Sequence, residues 1–142
     1  AISIDEARRT RSQGQQVAAT IDAGADAADV VIFCPDQVGP ATTHYLTADL
    51  KRVAFPSGDG YTIDWRNYLE RAAATDPVAF AEQAMAAAHS GAVWFVTGIG
   101  YRGLDPACAT VQAHLASVRP AEQFVGLTDL FEGMYAIRYA PS

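Results

Sequence analysis

The chain predicts an α/β fold: a three-layer, Rossmann-like, mostly parallel sheet with helices on both faces, closed by a C-terminal antiparallel hairpin. Three observations predict it. Val30–Phe33 and Ala92–Val96 are continuous apolar runs without polar alternation, the pattern of strands buried on both faces. Helical and strand patterns alternate along the chain in the order α-β-α-β-α-α-β-α-β-β. The last two strand patterns are joined by too short a connection for a parallel crossover.

The elements follow in order. Ser3 is placed to cap a first helix, with Asp5 and Glu6 in its first turn and an end near Gly24. Arg8, Arg9 and Arg11 read as its solvated face, with a phosphate contact as the sharper alternative. A strand over Asp29–Cys34 is stopped by Pro35, and Asp36–Pro40 supplies turn chemistry before a helix over about Ala41–Asp49. Lys51–Phe55 is a shorter strand, halted by the Pro56–Gly60 turn. Ile63–Ala73 reads as an amphipathic helix with Trp65, Tyr68, Leu69 and Ala72 on one face, the aromatics taken as core with a binding platform as the other reading. Thr75 or Asp76 caps the next helix, Pro77 sits in its first turn, and Val78, Ala81, Met85 and Ala88 form its buried stripe. Ala92–Val96 is the third strand. Asp105-Pro106 opens a helix to about Val118 by the same cap-plus-proline rule. Gln123–Leu127 and Met134–Tyr139 form the hairpin. Right-handed crossovers put the first strand between the second and third.

These elements make one domain of 142 residues, enough for a substantial core. Half the residues are hydrophobic, which excludes a disordered chain. A net charge of −6 and a pI near 4.8 argue against nucleic acid or an anionic membrane as a partner, since both need a basic surface. No apolar run reaches the roughly 18–20 residues of a membrane span. The start at Ala1, without an initiator Met, leads us to expect an excised or processed piece of a longer protein. Cys34 and Cys108 allow one disulfide or two free thiols. With three scattered His they give no metal-ligand spacing, so no metal and no cofactor is expected.

Several motifs are weighed and set aside. Gly98, Gly100 and Gly103 match G-x-G-x-x-G, but the loop follows the third strand. No acidic residue closes a βαβ unit about 20 residues on; Glu122 is near that distance but precedes a hairpin strand. A tight strand-to-helix turn accounts for these glycines. Asp36 and His44 lack a nucleophile to serve, while His89 and His114 read as helix-face residues. Nothing specifies a reaction. Open α/β sheets take ligands at the carboxyl ends of their strands. Asp36–Thr43 and Thr97–Arg102 are therefore expected to line one cleft. Its candidate ligand-binding residues are Asp36, Gln37, Thr42, Thr43, Tyr101 and Arg102, side chains suited to a sugar hydroxyl or phosphate.

Asp29-Val-Val-Ile-Phe-Cys-Pro-Asp-Gln-Val-Gly-Pro40, the helix near Tyr45-Leu46, Ala92-Val-Trp-Phe-Val96 and Met134-Tyr-Ala-Ile-Arg-Tyr139 together carry a resemblance. Over Gln15–Pro141 the chain resembles the soluble C-terminal domain of bacterial GT-C class membrane glycosyltransferases, mannosyltransferase-like proteins that use polyprenyl-phosphate sugars. In those proteins the catalytic carboxylate lies in a loop between membrane spans. The resemblance therefore implies a non-catalytic domain on the extracytoplasmic face of the cell membrane. It also implies the rest of a polytopic protein as partner, and a glycan or polyprenyl-phosphate sugar of cell-envelope polysaccharide or glycoprotein synthesis as ligand. Two other classes stay open: a free-standing Rossmann-like nucleotide binder or enzyme, and a structural interaction module.

The implied compartment bears on the cysteines. If the first and third strands are neighbours, Cys34 and Cys108 lie at one edge of the sheet, on adjoining connections. That layout permits a bridge without requiring it, and two buried thiols are the other reading. An extracytoplasmic location favours the disulfide.

Overall fold

The computed structural model describes residues 4–98, 104–125 and 134–141, with side chains described from residue 14 to 98, 104 to 122 and 134 to 141. Helix α1 (Ile4–Gly24) precedes β1 (Val30–Cys34). One 3-10 turn, Asp36–Val38, leads into the short α2 (Gly39–Thr43), and β2 (Lys51–Ala54) follows. Helices α3 (Tyr68–Ala74) and α4 (Pro77–Ala88) precede β3 (Val93–Gly98). Helix α5 (Asp105–Val118) then leads to β4 (Ala121–Val125) and β5 (Met134–Tyr139).

The five strands form one open sheet in the order β2-β1-β3-β5-β4. As expected, the first strand lies between the second and third. Val30 pairs with Lys51 on one side and Val93 on the other, both in parallel register. β5 runs antiparallel to both β3 and β4. Two of the four pairings are thus parallel and two antiparallel. The sheet is mixed rather than mostly parallel, because β4 takes the outer edge and β5 returns between it and β3.

Successive strand residues point to opposite faces, and each face has its own apolar core. Val30, Ile32 and Cys34 join Val93, Phe95, Met85, Val111 and Leu115 on the face covered by α4 and α5. Val31 and Phe33 join Trp94, Val96, Val17 and Ile21 on the face covered by α1. Val30, Ile32, Phe33, Val93, Phe95 and Val96 are all fully buried, which is why both runs lack polar alternation. Each such side chain contributes about 1.5–3 kcal/mol of burial free energy.

Five elements depart from the sequence reading. The helix expected over Ala41–Asp49 ends at Thr43. Asp22 of α1 takes the backbone N–H groups of Thr47 (3.0 Å) and Ala48 (2.7 Å), drawing them away from helical partners. The helix expected from Ile63 begins only at Tyr68, since Asn67 sits in the left-handed region at φ 49°. Of its supposed core face, Tyr68 is buried and Ala72 packs on the core, while Trp65 and Leu69 are exposed. On α4, Asp76 caps as expected, accepting from Val78 N–H at 2.9 Å, but Val78 itself is 39% exposed. Leu104 occupies the α5 cap position without a side-chain cap bond, and Asp105 lies in the first turn. The fourth strand starts at Ala121, two residues earlier than expected.

Two buried polar residues tie the amino-terminal edge. Asp29 accepts from Ala92 N–H at 2.8 Å and Trp94 Nε1 at 3.0 Å. Arg119 donates to the carbonyls of Gly91 (2.6 Å), Ala140 (3.1 Å) and His89 (3.3 Å), joining the end of α4 to the chain beyond β5.

Candidate functional site at the carboxyl edge of the sheet

β1 ends at Cys34, whose sulfur is bonded to that of Cys108 in the first turn of α5, with the Cα atoms 5.6 Å apart. Of the two readings the sequence allows, the disulfide is the one adopted. It fastens the exit of β1 to the helix that follows β3, at the edge where an open α/β sheet receives ligands.

Two residues on, Asp36 is buried. Its backbone N–H donates to the Phe55 carbonyl at 2.8 Å, and Phe55 N–H donates to the Phe33 carbonyl at 2.8 Å. The exits of β1 and β2 are thereby held together. The Asp36 carboxylate accepts from the Tyr68 hydroxyl at 2.6 Å, and the Gln37 side-chain amide lies 3.1 Å from that hydroxyl. Burial raises the Asp36 carboxyl above its ordinary value, against the lowering effects of the Tyr68 hydrogen bond and the Arg71 charge. Burial and the adjacent carboxylate also push the Tyr68 phenol upward. The phenol stays protonated and donates to Asp36, closing a hydrogen-bonded group of Asp36, Tyr68 and Gln37 at the exit of β1.

Tyr68 links this carboxylate to the surface. The Arg71 guanidinium sits 5.7 Å from its ring centroid and donates to the carbonyls of Arg66 and Asp64 and to Ser57 Oγ at 2.6 Å. One side chain thus holds the loop between β2 and α3. Trp65, in that loop, lies with its ring 5.3 Å from Tyr68.

The candidate residues are distributed unevenly. Asp36 and Gln37 meet at Tyr68, a partner that sequence reasoning assigned to the core. Thr42 and Thr43 are buried on α2, and neither Oγ1 has a hydrogen-bond partner among the described residues. Thr43 faces the turn after β2, where Gly60 at φ +82° leaves no room for a side chain: a Cβ there would meet the Phe33 ring at 2.5 Å and Thr43 Oγ1 at 3.2 Å. Tyr101 and Arg102 lie outside the described residues, so the expected cleft is described only on its β1 side. Of the glycine-rich loop, Thr97 and Gly98 belong to β3 and the rest lies outside as well.

The histidines take separate roles. His44 is exposed and contacts Tyr45 edge-on, while His114 Nε2 lies 2.5 Å from Glu82. Asp36 is engaged by Tyr68 rather than by His44. Among the described residues no cluster of three His, Cys, Asp or Glu is placed to hold a metal ion. No helix among them is long and apolar enough to cross a membrane.

Comparison with protein-family models, with curated proteins and with solved structures gives no match.

Proposed function

We propose that this chain is a non-catalytic, extracytoplasmic domain of a membrane glycosyltransferase, holding the glycan or lipid-linked sugar on which its parent acts. The observation that carries this reading is the Cys34–Cys108 bridge beside the Asp36–Tyr68–Gln37 constellation. A disulfide of this kind persists in an oxidising compartment, and it fixes the sheet edge at which the polar groups converge. The resemblance to GT-C class C-terminal domains supplies the class of ligand and the rest of a polytopic protein as partner. A Rossmann-like, three-layer description suits the reading, supported by separate apolar cores on the two faces of the sheet. The domain contributes binding and orientation, and the chemistry belongs to the membrane-embedded part.

The test is amide chemical-shift mapping on protein secreted to the periplasm, with manno-oligosaccharide and mannose 1-phosphate as probes. Saturable shifts at Asp36 and Gln37 are expected. Saturable shifts confined to the opposite edge, near Asp29 and Arg119, or no shifts at all, count against it.

A further inference from the structure

The segment from β2 to α3 leaves three large side chains in solvent: Tyr61 is 54% exposed, Trp65 64% and Leu69 77%. The core gives no account of a tryptophan there. Its position relative to the buried carboxylate is specific, because the Trp65 and Tyr68 rings are in contact and the Tyr68 hydroxyl donates to Asp36 at 2.6 Å. A line of groups therefore runs from Asp36 through Tyr68 to an indole at the surface.

The indole is displayed on a fixed support. Asp64 accepts from the Arg66 backbone N–H at 3.0 Å and from its guanidinium at 3.1 Å through both oxygens. Arg71 fastens the same segment through the Asp64 and Arg66 carbonyls. Trp65, Asn67, Tyr68, Leu69 and Glu70 line a shallow depression.

Charge decides the kind of ligand. Over residues 64 to 71, the stretch that carries the indole, Asp64 and Glu70 balance Arg66 and Arg71 one for one. An anionic lipid surface or a phosphate group calls for an excess of Lys and Arg. A balanced patch suits an uncharged partner that is apolar on one side and rich in hydroxyls around its rim. A sugar ring has that character: its C–H face stacks on the indole, and its hydroxyls bond to amide, guanidinium and carboxylate groups alongside.

We propose that Trp65 is the stacking platform of a subsite for an uncharged sugar residue, continuous through Tyr68 with the Asp36 site. This rests on the glycan-holding reading above and adds a ligand class, the neutral part of the glycan rather than its phosphate. Trp65 is a binding residue in this role, with no part in bond making.

Fluorescence reads the site directly. The chain has two tryptophans, and Trp94 is fully buried, so a ligand-induced emission change reports Trp65. The intact protein is titrated with the tetrasaccharides of mannose, glucose and galactose, with mannose 1-phosphate, and with phosphatidylglycerol vesicles. At least one tetrasaccharide is expected to give a saturable change. Calorimetry should show that Trp65→Ala weakens it about tenfold or more, and Trp65→Phe by less. Both substitutions are at an exposed position, so the fold is retained.

Other outcomes separate the two readings. Undiminished tetrasaccharide binding in Trp65→Ala, with amide shifts at Asp36 and Gln37, overturns the platform and leaves the glycan reading standing. Binding of mannose 1-phosphate alone overturns the neutral class in the same way. Vesicle binding that Trp65→Ala abolishes, without saccharide binding, makes the patch a membrane contact and overturns the proposal. No binding of any probe removes both readings.

Discussion

The indole N–H of Trp94 donates to Asp29 across 3.0 Å in a site closed to solvent. Asp29 lies just before β1 and Trp94 lies on β3, 65 positions away. The same carboxylate accepts from Ala92 N–H at 2.8 Å and Asp26 N–H at 3.1 Å. One acidic residue thus sets where β1 begins and holds β3 beside it.

Asp29→Ala should cost about 2–4 kcal/mol, since it strands two buried donors that water cannot reach. Asp29→Asn keeps an acceptor oxygen and should cost less. Urea unfolding of both variants checks this, and equal losses would mean that hydrogen bonding to the carboxylate is not what Asp29 contributes.

The Cys34–Cys108 bridge spans a sequence separation of 74. Cross-linking residues so far apart stabilises by up to about 4 kcal/mol in the chain-entropy model. Reduction should lower the urea midpoint, and Cys34→Ala with Cys108→Ala should do the same without reductant. Mass spectrometry of non-reduced periplasmic protein should find the pair oxidised; two free thiols there would remove the bridge and weaken the compartment assigned with it.

Two carboxyl groups should leave opposite marks on the pH dependence of stability. Asp36 is raised above 3.8, burial outweighing the Tyr68 hydrogen bond and the Arg71 charge. The native state holds that proton more tightly, so Asp36's contribution is full below 3.8 and declines as pH rises through its folded-state value. For Asp22, burial acts to raise the carboxyl, but hydrogen bonds from Thr47 and Ala48 with the Arg52 charge hold it below 3.8. Its contribution is full above 3.8 and lost as pH falls through the lowered value. Relative to Asp36→Asn the parent protein should lose its advantage with rising pH, and relative to Asp22→Asn it should gain one. Denaturant titrations between pH 2 and 7 read both slopes, and slopes of the same sign would contradict the assignment.

Gly60→Ala should destabilise by about 1–3 kcal/mol. The residue has φ +82°, and a Cβ would lie 2.5 Å from the Phe33 ring, so both backbone and core must yield. Gly58→Ala, also at positive φ (+111°) but with its nearest neighbour 3.9 Å from the added carbon, isolates the backbone share. Thermal unfolding should rank Gly60→Ala as the worse of the two.

What the sequence made legible follows the range of the forces involved. Val30–Phe33 and Val93–Val96 announce themselves because burial on both faces demands apolar residues at every position. Asp76 and Pro77 do so because capping is decided within one turn. The end of α2 was hidden, since it depends on Asp22 meeting Thr47 across 25 positions. Trp65 misled for a related reason: its spacing to Tyr68 and Leu69 is helical, but the turn at Asn67 breaks the register that spacing assumes. The constellation was half visible. Asp36 and Gln37 follow from their place after a buried strand, whereas Tyr68, 32 positions from Asp36, is tied to them only by the fold.

The outer strand β2 bears on how copies of this domain avoid one another. A sheet margin offers unpaired backbone groups to any other extended chain, and long apolar margins invite fibrous association. β2 is four residues long and opens with the exposed Lys51 and the half-buried Arg52, the latter drawn 5.0 Å over the Tyr61 ring. Two cations on so short a margin repel a second copy of themselves. The only lysine in the chain stands where a neutral residue would leave the sheet open to growth.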